Sequence, residues 1–377
     1  MKTMQKIGIL GGGQLGKMLI QEAVNWNLHC KVLDNDGQAP CSTLAAEFVK
    51  GNLQDETAII NFAQDCDIIT IEIENVNVEA LKKLAAQGKT VYPQPEVIEL
   101  IQDKRKQKLF YQAQQIPTAE FYLTDNQADL HQHTHFLPAV HKLGKAGYDG
   151  KGVQKINTSA DLHKGFDAPS VLEKMIPFEK EIAVIVARNP KGDIQSFPVV
   201  EMVFEPEQNL VEYLFAPADI SATSAQKATA IAEKIVEKLG IVGILAVEMF
   251  LLPDGEILVN EVAPRPHNSG HHTIEANITS QYQQHLRAIL NLPLGDTSTR
   301  TPAAMLNVLG AVGYEGKAYY EGLPTVLSVS GVYVHLYGKS TTKPFRKMGH
   351  VTILGKDLAE ITEKTAIVKQ NLRVITQ

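Results

Sequence analysis

Two glutamates lie on facing arms of a predicted β-hairpin, and their spacing suggests a cation site. Two apolar runs flank the turn signal Asp254-Gly255, with Glu248 in the first run and Glu261 in the second. A two-residue turn or a four-residue loop places Glu248 opposite Glu261, whereas three or five residues would not. Facing carboxylates repel each other, and oxygen ligands favour magnesium over zinc, so the pattern predicts a magnesium site. The alternative is a solvated sheet face, which the apolar neighbours Val247 and Val259 disfavour.

A dense set of polar side chains follows the second arm of this hairpin. Residues 263–272 contain one arginine, three histidines, one asparagine and one serine, and two prolines and a glycine make the segment a loop. Such a loop can bind an anion beside the metal. A zinc site at His271 and His272 is an alternative, which is disfavoured because no cysteine or carboxylate stands at a known spacing.

A glycine-rich segment, residues 144–152, contains four glycines and two lysines. Backbone N–H groups of such a loop can cover phosphates, and its lysines can neutralise them. Lys142, in the predicted strand before it, is a second candidate phosphate contact. The segment does not match the Walker A pattern, because no G-K-[ST] follows a four-residue spacer. The alternative is a mobile surface hairpin.

A second glycine pattern lies near the N-terminus. Gly11, Gly13 and Gly16 follow a predicted strand and precede a predicted helix, and Asp34 ends the next strand. This is the dinucleotide-binding fingerprint with its ribose-binding acid. The unpaired N–H groups of a helix N-terminus bind any anion, so NAD or FAD, another phosphate ligand and a purely structural turn all remain open.

The predicted elements place these features in more than one domain. Strands alternate with helices up to residue 96, which indicates a parallel sheet covered by helices and a first domain of 1–96. A polar helix is predicted over residues 96–114. Strand-rich segments follow it, a helix is predicted over residues 224–239, and short strands separated by Gly and Pro occupy the last part.

Length and composition exclude several classes of protein. The chain has 377 residues, enough for two or three domains, and a formal net charge of −6 that gives no basic surface for nucleic acid. No run of about 18 apolar residues predicts a membrane span. Cys30, Cys41 and Cys66 show no metal-binding spacing, which indicates free thiols in a reducing, cytoplasmic compartment.

The N-terminal glycine turn, the glycine-rich segment and the carboxylate hairpin occur in that order along the chain. Together they resemble the ATP-grasp superfamily and, within it, the N5-carboxyaminoimidazole ribonucleotide synthetase family. The most specific element is the run A-P-R-P-H-N-S-G-H at residues 263–271. The other similar segments are Gly11–Gly16, Ile71–Val76, Gln102–Lys104, Gly147–Gly152, Asn260–Glu261, Tyr337–Lys339 and Arg346–His350. A related formate-using glycinamide ribonucleotide transformylase has a similar loop and is the nearest alternative.

The resemblance implies a mixed α/β and α+β fold of ATP-grasp architecture. An N-terminal Rossmann-like parallel-sheet domain (1–96) would precede a two-lobed ATP-binding module (97–291). The glycine-rich lobe of this module, about residues 115–180, would be flexible. A small β-rich C-terminal domain (292–377) would complete the chain. A homodimer is the expected assembly, with neither nucleic acid nor membrane as a partner.

The implied reaction joins bicarbonate to aminoimidazole ribonucleotide at the expense of ATP, through carboxyphosphate and with magnesium. The resemblance places Lys104, Lys142 and Lys151 at the nucleotide phosphates, Glu173, Lys174 and Ile176 at the adenine hinge, Glu181 at the ribose, and Glu248, Asn260 and Glu261 at magnesium. It places Arg265, His267 and Asn268 at bicarbonate and the reacting amine, and Gln14, Glu74, Tyr148, Asp149, Lys339 and Arg346 at the ribonucleotide.

A few positions depart from the family pattern. Ala146 stands where glycine is frequent, and Lys343 and Phe345 replace a common arginine and glycine. Two other classes of function stay open: an NAD-dependent oxidoreductase, supported only by the N-terminal glycines, and a noncatalytic nucleotide sensor on the same fold.

Overall fold

Five parallel strands form the N-terminal sheet in the computed structural model, which describes residues 5–145, 147, 152–205 and 210–377. The strand order is β3-β2-β1-β4-β5. The strands are β1 (Lys6–Leu10), β2 (His29–Asp34), β3 (Glu47–Lys50), β4 (Ile68–Ile71) and β5 (Thr90–Val91), and the helices are α1 (Gln14–Val24), α2 (Glu56–Ala63) and α3 (Val78–Ala86). Apolar clusters cover both faces of this sheet, as a parallel sheet requires.

The polar helix predicted over residues 96–114 is wrong as one element, because the chain forms two helices there. These are α4 (Pro95–Ile101) and α5 (Lys104–Ala113). The Asp103 carboxylate accepts hydrogen bonds from the N–H groups of Arg105 and Lys106 and caps α5. The Gln102 amide donates to the carbonyls of Glu74 and Val76. Side chains that satisfy backbone groups at the break therefore outweigh helix propensity.

A four-stranded antiparallel sheet follows, with the order β6-β9-β7-β8. Its strands are β6 (Phe121–Thr124), β7 (Ala139–Leu143), β8 (Val153–Ile156) and β9 (Ser170–Lys174), and two 3₁₀ segments, Gln127–Phe136 and Ser159–Lys164, cover it. The small apolar cluster around Leu130 and Leu172 packs between these segments and the sheet.

A nine-stranded sheet forms the centre of the described part of the molecule, with the order β15-β14-β10-β12-β13-β16-β20-β18 and β11 paired to β10. Its strands are β10 (Lys180–Arg188), β11 (Ile194–Ser196), β12 (Val200–Glu205), β13 (Leu210–Ala216), β14 (Gly243–Leu251), β15 (Ile257–Ala263), β16 (Ala303–Leu309), β18 (Val332–Leu336) and β20 (Lys347–Leu354). Helices α6 (Ala222–Leu239), α7 (Thr273–Ala276) and α8 (Gln281–Ile289) accompany it. Because β13 pairs with β16, the C-terminal strands extend the sheet that carries the predicted metal hairpin.

The remaining elements complete the C-terminal part. A three-stranded sheet has the order β19-β17-β21, and two helices pack nearby. These elements are β17 (Gly316–Glu321), α9 (Leu323–Leu327), β19 (Thr341–Thr342), α10 (Leu358–Asn371) and β21 (Arg373–Thr376). A separate apolar cluster, which includes Val326, Ile353 and Val368, joins them to β16 and β20.

Candidate active site

The predicted pairing of Glu248 with Glu261 is present, but a β-bulge produces it. Leu251 pairs with Ile257, so five residues connect the arms, and the predicted connection of two or four residues is wrong. In that register Glu248 would face Asn260. The pairing shifts by one residue at Asn260, and Glu248 then lies opposite Glu261.

The bulge also turns two consecutive side chains to one side of the sheet. Val259 and Val262 both belong to the same core cluster, although strict alternation places residues three apart on opposite faces. Asn260 and Glu261 therefore both project from the face that carries Glu248. The hairpin thus presents two carboxylates and one amide together.

The two carboxylates of this pair have opposite surroundings. Glu261 accepts a hydrogen bond of 2.9 Å from Lys104 Nζ, and the charge of Lys104 holds the pKa of Glu261 below its ordinary value. Burial raises the pKa of Glu248, the charge of Glu261 raises it further, and Lys104 and Lys347 act in the opposite direction. Of the two facing glutamates, Glu261 is therefore the one held ionised by a cation of the chain.

A buried cluster of lysines and one glutamate lies beside the hairpin. Lys142 Nζ donates to Asn260 Oδ1 at 2.8 Å and to Glu173 Oε2 at 3.1 Å. Lys108 Nζ lies 3.3 Å from the same oxygen of Glu173. Although burial opposes it, the two lysines hold the pKa of Glu173 below its ordinary value, and burial lowers the pKa of Lys108 to about 8. Two predicted phosphate contacts, Lys104 and Lys142, thus converge on the carboxylate face.

The residues predicted at the adenine and the ribose lie on β9 and β10 or between them. Lys174 extends away from Glu173, since its Nζ donates to the Phe136 carbonyl at 2.9 Å. The Ile176 carbonyl accepts a bond of 3.1 Å from the N–H of Phe178. Burial raises the pKa of Glu181 to about 7. Nucleotide contacts at these positions stay a prediction.

The loop after β15 brings two of its polar residues to the site. Arg265 Nε lies 2.8 Å from Glu74 Oε1, so the predicted bicarbonate and ribonucleotide residues are in contact. His267 Nε2 lies 3.3 Å from Glu248 Oε1, while its Nδ1 is 2.9 Å from Ser269 Oγ. Asn268 begins the short 3₁₀ turn Asn268–Gly270 that follows.

The alternative of a zinc site at His271 and His272 finds no support. His271 Nδ1 is 2.9 Å from Tyr282 Oη, and its ring packs against His350, which stacks on His335. Burial lowers the pKa of His272 to about 4. Within the part of the chain that the structure describes, no group of three or more His, Cys, Asp or Glu side chains could hold a metal. His271 and His350 are fully buried, and burial lowers the pKa of both well below the ordinary value, so their rings pack in the neutral form.

The N-terminal glycine turn encloses a buried carboxylate. A Cβ on Gly13 would lie 2.3 Å from Glu72 Oε1, and one on Gly11, whose φ is +102°, would lie 2.7 Å from Glu72 Oε2. Burial raises the pKa of Glu72 to about 7, and the Leu15 N–H donates to it. Asp34 accepts from the N–H groups of Gly12 and Asp36. The acid of the dinucleotide fingerprint thus serves to fix the turn itself.

The C-terminal residues predicted at the ribonucleotide divide into two places. Lys339 Nζ lies 3.2 Å from Gln14 Oε1, which joins residues from opposite ends of the chain, and it donates to the Lys347 carbonyl. Arg346 donates to Thr341 through Nη1. Phe345 has φ +63°, the left-handed region, which gives a physical reason for the glycine that is common there. Tyr148, Asp149, Lys151 and the departure Ala146 lie outside the described residues.

Comparison with known proteins decides between the families. Three family models match: a ribonucleotide synthetase preATP-grasp domain over residues 4–102, an ATP-grasp domain over 109–282, and a phosphoribosylaminoimidazole carboxylase C-terminal domain over 303–364. The chain is 37% identical to the N5-carboxyaminoimidazole ribonucleotide synthase of Bacillus subtilis, over 95% of this chain and 94% of that protein. This chain belongs to the N5-carboxyaminoimidazole ribonucleotide synthase family.

Solved structures agree with this membership. The N5-carboxyaminoimidazole ribonucleotide synthetase of Thermotoga maritima is 42% identical with a TM-score of 0.92, covering 99% of this chain and 100% of that one. The Aspergillus clavatus enzyme, solved with ADP and 5-aminoimidazole ribonucleotide, is 34% identical with a TM-score of 0.89, covering 98% and 100%. The chain spans about two thirds of the length of curated phosphoribosylaminoimidazole carboxylases such as that of Vigna aconitifolia.

Membership of the synthase family confirms the predicted fold class and the predicted type of enzyme, an ATP-grasp ligase. The NAD-dependent oxidoreductase is wrong, because the glycine turn belongs to the preATP-grasp domain of a ligase. No helix in the described ranges is both long enough and apolar enough to cross a bilayer.

Three residues at the site had no role assigned from the sequence. Lys108 follows Lys104 by four residues on α5, and this spacing places both side chains on one face of the helix. The spacing could therefore have predicted that Lys108 lies at the site. Glu72 follows β4 and faces the glycine turn, a position from which a role could have been inferred. Lys347 lies in the similar segment Arg346–His350, but its spacing does not predict an effect on Glu248. The pairing of the C-terminal strands brings its charge towards that residue.

Proposed function

We propose that this chain carboxylates 5-aminoimidazole ribonucleotide with bicarbonate and ATP, giving N5-carboxyaminoimidazole ribonucleotide, ADP and phosphate. The observation that carries the proposal is the bulged hairpin, which presents Glu248, Asn260 and Glu261 on one face together with Lys104 and Lys142. Phosphoryl transfer requires cationic side chains that neutralise the phosphates, and it requires carboxylates that hold a metal ion. Family membership supports aminoimidazole ribonucleotide as the acceptor, and bicarbonate is the carboxyl source that we propose with it.

The residues of the hairpin fit magnesium. Two facing carboxylates and an amide give a set of oxygen donors only, which suits a hard cation. A dication would offset both the burial and the repulsion from Glu261 that raise the pKa of Glu248. When bound, magnesium supplies charge stabilisation to the phosphate oxygens. Glu248, Glu261 and Asn260 are the residues proposed to hold it.

The chain's own groups position the two chemical steps. A bicarbonate oxygen attacks the γ-phosphorus of ATP, ADP leaves, and carboxyphosphate forms. The ribonucleotide amine then attacks the carboxyl carbon of carboxyphosphate, or of carbon dioxide that carboxyphosphate releases. On either route phosphate leaves and the nitrogen loses a proton. Lys104, Lys142 and Lys151 would hold the phosphates, while Arg265, His267 and Asn268 would orient bicarbonate and the amine. The short distances from Arg265 to Glu74 and from His267 to Glu248 support this placement.

The ribonucleotide is proposed to lie between the N-terminal turn and the C-terminal strands. The contact of Lys339 with Gln14 supports that placement, because it brings a cation to the turn. Glu74, Tyr148, Asp149 and Arg346 complete the proposed set. Glu173, Lys174 and Ile176 are assigned to the adenine and Glu181 to the ribose. A homodimer in the cytoplasm is the further expectation that the resemblance carries, and light scattering tests the dimer.

The test of the proposed function is ADP release measured with ATP and each acceptor in turn. We expect release to require magnesium and to rise strongly when aminoimidazole ribonucleotide is added with bicarbonate. Chelation with EDTA should abolish it, and added magnesium should restore it. Stimulation by glycinamide ribonucleotide with formate would instead identify a transformylase, and binding of ATP without any turnover would identify a sensor.

A further inference from the structure

One buried glutamine holds the backbone of the loop that carries His267. Gln281 is the first residue of α8, and its side chain is fully buried. Its Oε1 accepts from the N–H of His267 at 2.8 Å, and its Nε2 donates to the C=O of His267 at 2.8 Å. A single side-chain amide thus bonds both backbone groups of His267.

The Gln281 amide has little room to move. The hydroxyl of Thr273 accepts a hydrogen bond from the backbone N–H of Gln281 at 2.9 Å and donates one to the backbone carbonyl of Gly270 at 2.6 Å. A Cβ on Gly270 would lie 2.5 Å from Gln281 Oε1 and 2.4 Å from Ile185 Cδ1, so the loop packs directly on the amide. The Gly270 N–H also donates to the His267 carbonyl at 3.0 Å.

We propose that Gln281 is a positioning residue, which fixes the His267 backbone so that the imidazole faces Glu248. This inference rests on the function proposed above. With both backbone groups fixed, the direction of the His267 Cα–Cβ bond is fixed, and the ring reaches Glu248 Oε1 at 3.3 Å. Displacement of a reacting group by about 1 Å can lower a rate about 100-fold.

The same helix provides a matched control. Gln284 is also fully buried, and its amide bonds the backbone of Gly295 in the same manner: Oε1 accepts from the N–H at 2.8 Å and Nε2 donates to the C=O at 3.0 Å. Gly295 lies in the segment between α8 and β16 and has no side chain to orient. Gln281 and Gln284 thus bond one backbone N–H and one backbone C=O each, and the Nε2 of Gln281 also lies 3.4 Å from His271 Nδ1.

The experiment compares Gln281→Met with Gln284→Met in the full chain. Each substitution removes two buried hydrogen bonds to backbone groups, and Gln281→Met also removes the longer contact with His271, so we expect similar decreases in Tm. We expect kcat for ADP release to fall on the order of 10- to 100-fold in Gln281→Met and less than about 3-fold in Gln284→Met, with the KM for ATP within about 3-fold in both. Equal losses of kcat, or a loss confined to the KM for ATP, would overturn the proposal.

A second variant covers the case in which Gln281→Met does not fold. Thr273→Val keeps the side-chain shape and removes the hydroxyl that links Gly270 to Gln281, and we expect a smaller decrease in kcat of the same kind. An unchanged kcat in a folded Thr273→Val protein would then refute the role of Gln281.

A readout that does not depend on turnover separates this inference from the proposed function. The imidazole NMR signals of His267, assigned by comparison with His267→Gln, should shift in Gln281→Met and stay in place in Gln284→Met. If the unmodified chain shows no turnover with aminoimidazole ribonucleotide, the proposed function fails while this comparison still tests the positioning. Unshifted His267 signals in both variants would refute it.

Discussion

At the scale of single residues, the site separates two glutamates that face each other. Glu261 contacts Lys104 and has a lowered pKa, whereas partial burial and the charge of Glu261 raise the pKa of Glu248. A raised folded-state pKa contributes stability below the unfolded value of about 4.5, and that stability is lost as the pH rises through the folded value. The two residues should therefore respond differently to neutralisation, although both are assigned to the metal.

We expect Glu248→Gln and Glu261→Gln each to lower kcat on the order of 100-fold or more, because each removes a charge that holds magnesium. In EDTA at pH 8, Glu248→Gln should raise Tm by a few degrees, since glutamine resembles the protonated acid. Glu261→Gln should not raise it, because the contact with Lys104 is lost.

Thermal unfolding at pH 8 and pH 5 checks this difference. The gain in Tm from Glu248→Gln should shrink at pH 5, where a carboxyl of raised pKa is already protonated. Retention of full kcat in a folded Glu261→Gln protein would contradict the assignment of the metal.

At the scale of secondary-structure elements, the bulge at Asn260 adds one residue to β15 and returns Val262 to the core. A strand that loses the extra residue should keep its regular alternation, with Glu261 still opposite Glu248. The break between α4 and α5 is a comparable device. It ends one helix at Ile101 and begins the next with Lys104, the residue that contacts Glu261.

Deletion of Asn260 should therefore leave the fold intact, with Tm lowered by only a few degrees. We expect kcat to fall on the order of 100-fold, because the deletion removes a proposed magnesium ligand and one of the two hydrogen-bond partners of Lys142. Deletion of Leu258 is the control. It removes one residue from the same strand but moves Ile257 out of the core, which should cost about 2–5 kcal/mol of unfolding free energy. Equal destabilisation by the two deletions would refute the role of the bulge.

At the scale of the whole molecule, the ends of the chain meet at the proposed ribonucleotide site. Gln14 begins α1, and Lys339 lies between β18 and β19 and contacts it. Arg265, in the loop after β15, contacts Glu74 of the N-terminal region. The proposed site for the ribonucleotide thus depends on how the N-terminal sheet packs against the C-terminal half.

Lys339→Ala should raise the KM for aminoimidazole ribonucleotide by about 10- to 100-fold, since a charge-assisted phosphate contact is worth about 1.5–3 kcal/mol. The KM for ATP should change by less than about 3-fold. Lys356→Ala, which removes an exposed lysine of the same C-terminal half, should leave both constants unchanged. Initial rates at varied concentrations of each substrate check this, and a defect selective for ATP would place Lys339 at the nucleotide.

Features that depend on local chemistry could be predicted from the order of the residues. The alternation of strands and helices predicted the parallel N-terminal sheet, and the motifs predicted the ATP-grasp fold and the ligase class. The facing of Glu248 and Glu261 was also predicted, but from a turn of the wrong length. Turn residues indicate where a hairpin reverses, whereas a bulge depends on which side chains the core accepts.

Contacts between groups far apart in the chain depend on how the whole chain packs. No spacing in the sequence predicts the contacts of Lys108 with Glu173, of Lys339 with Gln14, or of Gln281 with His267. The local pattern around Asp34 is that of a dinucleotide site and predicted a ribose-binding acid. In the structure the Asp34 carboxylate instead accepts a hydrogen bond from the N–H of Gly12 in the glycine turn. A buried polar group takes whatever partner the packing brings within hydrogen-bonding distance, and packing is a property of the whole chain.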